Sequence, residues 1–230
     1  MHKKNIVKTN FRALGTKNLT RLFVMEKKYL ALSFDDGPNC TTTAEVLDVL
    51  ESFGVAASFF LIGQNVTPQS IPMIKRQLKL GCTVECHSWT HPHMGSMAED
   101  EIKSEVSRTD QIIKEHTGRI PEFFRPPYID LSETLFNSVE KPFICGSDCQ
   151  DWEDSVSCDE RVRMILDVAK EGQIFLLHDM EGNAKTVQAL KRIIPALLDR
   201  GFTFVTVPEL FKVYGVNPHV RGKIWSNVLE

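Results

Sequence analysis

Short apolar runs alternate along the chain with amphipathic stretches, and this alternation predicts strands separated by helices. Apolar positions at helical spacing predict helices over Thr41–Phe53, Glu99–His116 and Ala184–Arg200. Seven apolar runs of strand length predict strands over Tyr29–Phe34, Ala57–Ile62, Cys82–Glu85, Glu122–Phe124, Phe143–Gly146, Gln173–Leu177 and Phe202–Thr206. Alternating strands and helices form parallel βα units, which close into a barrel or stay as an open wound sheet. The pattern therefore predicts an α/β fold.

Side chains capable of chemistry follow several of the predicted strands. In parallel βα folds the carboxyl ends of the strands share one face, where active sites are built. The first strand is followed by Asp35 and Asp36, two adjacent carboxylates before Gly-Pro. Successive side chains diverge, so one carboxylate can bind a metal while its neighbour acts as a base. Asp before Gly-Pro is also ordinary turn chemistry, and this alternative stays open.

A pair of histidines follows the third predicted strand. His87 and His91 are four residues apart and can converge on one ion in a helix or tight turn, where neutral imidazoles suit zinc. Metallopeptidases with this spacing need a Glu directly after the first His. Ser88 stands there instead, which argues against a peptidase.

Three later strand ends supply further polar and aromatic groups. Arg125-Pro-Pro-Tyr128 follows the fourth strand, and its two prolines restrict the backbone. Asp151-Trp152 follows the fifth, and Trp152 fits either a wall of a carbohydrate groove or a core position. His178 follows the sixth strand.

These segments, taken in order, resemble the five motifs of the polysaccharide deacetylase family, also called the NodB homology domain or carbohydrate esterase family four. The segments are Ser33–Pro38, His87–Pro92, Arg125–Tyr128, Asp148–Trp152 and Leu176–Asp179. The resemblance implies an irregular (β/α)7-type barrel as a single catalytic domain over 29–212. It leaves a basic N-terminal extension over 1–28 and a C-terminal tail over 213–230.

The resemblance also implies a metal-dependent hydrolytic site. Asp36, His87 and His91 look like the ligands of one divalent metal, with zinc favoured and cobalt, nickel or manganese as alternatives. Asp35 looks like the general base for the attacking water. The backbone N–H of Tyr128 looks like a donor to the oxyanion.

Other residues take their implied roles from the same resemblance. His178 looks like the general acid that protonates the leaving group. Arg125 resembles a residue that orients Asp35, and Asp151 one that tunes His178. The predicted substrate contacts are Trp152, Leu176 and Pro127.

The chain departs from the family's motifs at three places. Ser33 stands where Thr is common, and Cys86 precedes the histidines where Asn is usual in many members. Ile129-Asp130 replaces the usual Gly after Tyr128, which leaves the local turn and substrate contacts undetermined. None of these departures removes a ligand or an acid–base group implied by the resemblance.

Several functions remain open within this resemblance. The leading hypothesis is a hydrolase that removes acetyl groups from N-acetylated sugars of chitin-, peptidoglycan- or related glycan type. An O-acetyl xylan esterase uses the same motifs, and a small cyclic amide is a third substrate class. A carbohydrate-binding protein without catalysis is a fourth alternative, but such a protein would be expected to have lost Asp35 or His178.

Charge and hydropathy restrict the partners and the location. Residues 1–24 hold six Lys and Arg and no acidic residue, so the remainder carries a clear acidic excess. This acidic body argues against nucleic acid as a partner, and no apolar run reaches the roughly 18 residues of a membrane span. No secretory signal is visible, which predicts a cytoplasmic location, or a secreted one if the gene start differs. The basic extension is either disordered or lies upstream of a start at Met25.

Overall fold

The computed structural model describes residues 27–230. Of the predicted N-terminal extension over 1–28, residues 1–26 lie outside the described residues, and Lys28 begins the first strand. The strands are β1 (Lys28–Asp35), β2 (Ser58–Leu61), β3 (Thr83–Cys86), β4 (Phe143–Ile144), β5 (Ile174–His178), β6 (Phe202–Phe204) and β7 (Ile224–Trp225).

Parallel pairing organises these strands around β1. The main sheet has the order β3-β2-β1-β5, and β6 pairs with the amino-terminal half of β1. Isolated parallel bridges Cys86↔Phe124, Phe124↔Phe143 and Ser147↔Phe175 then connect β3 through β4 to β5. The strands therefore follow one another around an irregular barrel, as the motif resemblance implied.

Helices cover the outside of this barrel. They are α1 (Thr42–Phe53), α2 (Ile71–Lys79), α3 (Glu99–Thr117), α4 (Glu133–Ser138), α5 (Cys158–Val168), α6 (Ala184–Asp199) and α7 (Val207–Tyr214). Helix α1 ends where Gly54 adopts the left-handed conformation and donates its N–H back to the last turn. At the start of α5, Ser157 and Glu160 form a reciprocal capping box.

Side-chain alternation along β1 separates the outer core from the barrel interior. Leu30 and Leu32 lie in the large apolar cluster that includes residues of α1 and α6. Ala31 lies in a second cluster, which lines the interior. Because successive side chains of a strand point to opposite faces, Ser33 and Asp35 share the interior face with Ala31. The same alternation that builds the core therefore directs two polar side chains into the barrel.

The structure differs from the predicted strands at Glu122–Phe124. This stretch contributes only the bridges at Phe124. The backbone N–H groups of Glu122 and Phe123 donate to Oε2 of the buried Glu85, at 2.9 and 3.0 Å. A carboxylate thus takes the donors that a regular ladder would use, and the predicted strand is wrong in its extent.

The segment predicted as a C-terminal tail packs onto the barrel. Its strand β7 pairs with β4, and Trp225 and Val228 are buried in the interior cluster. The Trp225 ring meets the Phe211 ring edge-on, and its indole N–H donates to the Pro218 carbonyl at 3.0 Å. Residues 213–230 therefore contribute to the same core as the strands.

Two further features concern the described residues as a whole. No helix among them combines the length and apolar character needed to cross a membrane. All six cysteines are present as free thiols.

Truncating Trp225 tests whether the C-terminal segment is part of the folding unit. We expect Trp225→Ala to lower the free energy of unfolding by about 3–5 kcal/mol, because it removes a large buried side chain. Urea denaturation measures this change. The exposed Val220→Ala should change it by less than about 0.5 kcal/mol. Equal stabilities for wild type and Trp225→Ala would contradict a structural role of this segment.

Candidate metal centre and active site

Strand register brings the predicted acid–base residues to one level of the barrel. In the parallel pairing of β1 with β5, Asp35 lies opposite His178. Because side chains alternate between the two faces of a strand, this pairing places both side chains on the interior face. The site is therefore built at the carboxyl ends of the central strands, where the sequence analysis expected it.

Asp36, His87 and His91 converge at the mouth of the barrel. Oδ1 of Asp36 lies 3.5 Å from Nε2 of His87 and 3.4 Å from Nε2 of His91. One potential ligand atom from each residue lies within 4.8 Å of the other two. The fold thus brings together the three side chains predicted as metal ligands, although Asp36 is distant in the sequence from the two histidines.

Unusual backbone conformations and one hydrogen bond aim these side chains. Asp36 and His91 have positive φ angles of 77° and 61°, which non-glycine residues seldom adopt. Nδ1 of His87 lies 2.7 Å from the Arg125 carbonyl. An N–H donated to that carbonyl leaves Nε2 with its lone pair directed at the other two ligands.

The residues present fit a divalent cation. Oδ1 of Asp36 is buried and has no hydrogen-bond partner among the described residues. Burial alone would raise the pKa of Asp36, but the neighbouring histidines outweigh it and lower the pKa to about 2. Burial and the nearby His87 lower the pKa of His91, which favours the neutral ring that binds metal. An ionised carboxylate with a free buried oxygen beside two imidazoles is a donor set suited to zinc or a similar ion.

Asp35 is held in the interior by Arg125. One guanidinium nitrogen donates to Oδ1 of Asp35, a second donates to Ser33 Oγ at 2.7 Å, and the Phe60 ring lies below the guanidinium carbon at 4.1 Å. The other carboxylate oxygen, Oδ2, lies 3.6 Å from Nε2 of His87. Asp35 is thus fixed by one oxygen and presents the other towards the ligands.

His178 is paired with Asp151 on the opposite side. The two carboxylate oxygens of Asp151 lie 2.7 Å from Nδ1 and 2.9 Å from the backbone N of His178. Thr186 donates its hydroxyl to Asp151 at 2.7 Å and Asn183 its amide at 3.4 Å. Burial would lower the pKa of His178, but the hydrogen bond and charge of Asp151 outweigh it and raise the pKa to about 9. This environment keeps the ring protonated, as a proton donor requires.

A cavity of about 370 Å³ joins the metal ligands to both acid–base residues. Of the predicted substrate contacts, Trp152 and Leu176 line it, whereas the buried Pro127 does not and its neighbour Pro126 does. Tyr128 also lines the cavity, while Arg125 and Asp151 lie behind Asp35 and His178. Four further residues line the cavity without having been among the predicted site residues: Pro126, Ile129, Cys145 and Asp148.

The turn at Tyr128 and Ile129 departs from the family's motif, and its geometry was not predicted from the sequence. Tyr128 and Ile129 both have positive φ, 58° and 52°, without a glycine. The Tyr128 ring stacks on His93 with centroids 3.9 Å apart. Asp130 accepts the N–H of Gly95 at 2.9 Å and lies 3.5 Å from Nδ1 of His93. Asp130 therefore ties the turn to the histidine loop, and contacts of this kind sustain strained backbone.

Comparison with known proteins gives a family match. The family model described as "Polysaccharide deacetylase" matches residues 24–142. A bifunctional xylanase/deacetylase from Pseudobutyrivibrio xylanivorans is 48% identical over 93% of this chain, which spans 35% of that protein's length. A peptidoglycan-N-acetylglucosamine deacetylase from Bacillus cereus is 34% identical over 81% of this chain and 69% of its own length.

A solved structure supports the fold. The family 4 acetyl xylan esterase from Clostridium thermocellum, in complex with a cobalt ion, superposes with a TM-score of 0.84 at 38% identity. The match covers 87% of this chain and 99% of that one. These matches confirm the predicted family and the irregular barrel.

The Asp151–His178 pair predicts a measurable titration. Because the folded-state pKa of His178, about 9, exceeds its usual value of 6.5, protonation of the ring favours the folded state. This contribution to stability is complete below about pH 6.5 and is lost as the pH rises through about 9. We expect Asp151→Asn to lower the pKa of His178, because burial remains while the carboxylate partner is lost. NMR titration of the His178 side chain in metal-free protein measures it, with exposed His219 as internal reference. The same His178 pKa in both proteins would show that Asp151 does not control this proton.

Proposed function

The chain belongs to the polysaccharide deacetylase family, and on that premise we propose that it is a metal-dependent hydrolase that removes acetyl groups from a carbohydrate. One observation carries the proposal. The Asp36–His87–His91 cluster, with its unpartnered carboxylate oxygen, shares a cavity with Asp35 and His178. A base, an acid and a cation site in one cavity are what hydrolysis of an acetyl amide or ester requires.

Asp36, His87 and His91 would hold the ion. When bound, a divalent cation lowers the pKa of water and polarises a carbonyl oxygen. Asp35 accepts the proton of the attacking water at Oδ2, because Oδ1 is occupied by Arg125. The contact with the guanidinium also holds Asp35 in one orientation, as a general base must be held.

His178 acts on the other side of the acetyl group. Its Nδ1 is engaged by Asp151, so Nε2 carries the proton that is given to the departing sugar oxygen or nitrogen. The backbone N–H of Tyr128 donates to the oxyanion of the tetrahedral intermediate. Leu176 and the half-exposed Trp152 form the apolar wall against the acetyl methyl and the sugar.

The substrate is an acetylated polysaccharide or its oligomers. An N-acetylated sugar is the leading hypothesis from the sequence, and the Bacillus cereus relative, named for peptidoglycan N-acetylglucosamine, supports it. Two relatives with higher identity, 48% and 38%, are named for xylan chemistry. Acetylated xylan is therefore the second candidate. The chain spans about a third of the length of the bifunctional relative, so only the deacetylase function is proposed here.

Acetate release tests this function. Protein loaded with zinc or cobalt is incubated with chitin oligomers, peptidoglycan fragments, acetylxylan and a chromogenic acetyl ester. We expect acetate from at least one of these, loss of activity with chelator, and recovery when metal is returned. Asp35→Asn should lower kcat by about 10²–10⁴-fold with metal still bound, because it removes one acid–base group.

A matched substitution controls for the loss of a negative charge. The exposed Asp199→Asn, at the end of α6, should retain wild-type kcat and metal content. The preferred substrate separates amide from ester hydrolysis. Full metal occupancy without acetate from any substrate would contradict the proposal and favour a small cyclic amide or a binding role.

A further inference from the structure

Asp179 is a buried carboxylate that the proposed mechanism does not use. Its side chain is excluded from solvent, and it does not line the catalytic cavity, although it directly follows His178. Burial raises the pKa of Asp179 to about 7, so the fold retains this group at a cost. Its hydrogen bonds reach the loop that carries the metal ligand Asp36.

Both oxygens of Asp179 bind the loop that carries Asp36. Oδ1 accepts the backbone N–H of Gly37 at 3.1 Å, and Oδ2 accepts the hydroxyl of Thr43 in the first turn of α1. The backbone of Asp179 adds two further links: its N–H donates to the Asp35 carbonyl at 3.1 Å, and its carbonyl accepts from the Asn39 amide at 2.6 Å. One residue after β5 thus contacts the loop on both sides of Asp36.

The contact with Asp179 restricts the residue at position 37 to glycine. A Cβ at position 37 would lie 2.5 Å from Oδ2 of Asp179, closer than atoms can approach. The φ angle of Gly37 is not in the left-handed region, so the glycine is required here for close approach to the carboxylate. The loop is therefore packed directly against Asp179.

Asp36 needs such an external restraint. Its φ of 77° is strained for a non-glycine residue, and strained backbone persists only where surrounding contacts hold it. Asn65 donates to the Asp36 carbonyl at 2.8 Å from one side, and Asp179 holds the next peptide from the other. The strained backbone of Asp36 is therefore held from both sides, one of them through Asp179.

We propose that Asp179 is a positioning residue that sets the Asp36 carboxylate for metal binding through its hydrogen bonds to Gly37 and Thr43. The inference rests on the metal centre of the proposed function. It assigns to Asp179 an effect on metal affinity that is separate from its contribution to folding.

Cobalt binding to the purified, metal-free chain tests this role. Titration followed by cobalt absorption gives both the affinity and the geometry of coordination. Asp179→Asn keeps the size of the side chain but replaces one acceptor oxygen with an NH₂ group. We expect it to weaken cobalt binding by about 10–100-fold, which is typical for loss of a partner behind a metal ligand, and to alter the absorption spectrum.

Two substitutions at Thr43 provide a matched pair. Thr43→Val removes the hydroxyl that donates to Asp179 and accepts the Asn39 N–H at 3.0 Å, and it should weaken cobalt binding in the same direction by a smaller factor. Thr43→Ser retains the donor and should bind cobalt within about twofold of wild type. This pair keeps the test valid if Asp179→Asn does not fold.

Asn227→Ala controls for general destabilisation. Asn227 is buried, donates to the Glu171 carbonyl at 2.8 Å, and lies beside the amino-terminal end of β5, away from the metal ligands. It should lower the melting temperature without changing cobalt affinity.

The outcomes separate this inference from the proposed function. If wild type binds cobalt but Asp179→Asn and Thr43→Val bind it within twofold, Asp179 is only structural and the inference fails. Failure of wild type to bind cobalt would overturn the metal centre and the proposed function with it. Weaker cobalt binding in both variants supports the inference even if no sugar substrate is turned over.

Discussion

The neutralisation of Arg125 in the barrel interior is the constraint on which the site depends. This cation is fully excluded from solvent, and its charge is balanced by Asp35. It also donates to Ser33 on β1 and to the Ile144 carbonyl on β4, at 2.7 and 3.3 Å, while Phe60 of β2 packs against it. Removing one partner of a buried ion pair typically costs about 3–5 kcal/mol. The need to satisfy one buried charge therefore links three strands and fixes the orientation of the candidate base.

Four of the aspartates in and behind the cavity wall show how the environment assigns different chemistry to one type of side chain. Asp35 is paired with a guanidinium, and Asp36 has a pKa lowered to about 2 beside two histidines. Asp151 is committed to His178, and Asp179 has a pKa raised to about 7 in a buried pocket. Differences in environment of this kind separate the pKa values of chemically identical carboxyl groups, as for Asp36 and Asp179.

Some residues of the site are positioned by the strands and others by segments with strained backbone. The parallel ladder sets Asp35 opposite His178, but Asp36, His91 and Tyr128 lie on loops with positive φ. Such conformations persist where neighbouring contacts over-determine them, and here those contacts include backbone N–H groups that donate to the half-buried Asp130 and the buried Asp179. Asp130 holds one loop and Asp179 the other, so buried or half-buried carboxylates support both sides of the candidate cation site.

Local sequence pattern determined the alternation of strands and helices, and motif order identified the residues that converge. Periodicity reports only which face of an element is apolar, so it misjudged Glu122–Phe124 and did not detect the two-residue strand β7. It also could not find Asp179, whose partner Gly37 is 142 positions away in the chain. The sequence by itself determined the fold class and the cluster of ligands and acid–base candidates. Only the tertiary structure decided the hydrogen bonds that aim them, because those bonds join residues brought together by barrel closure.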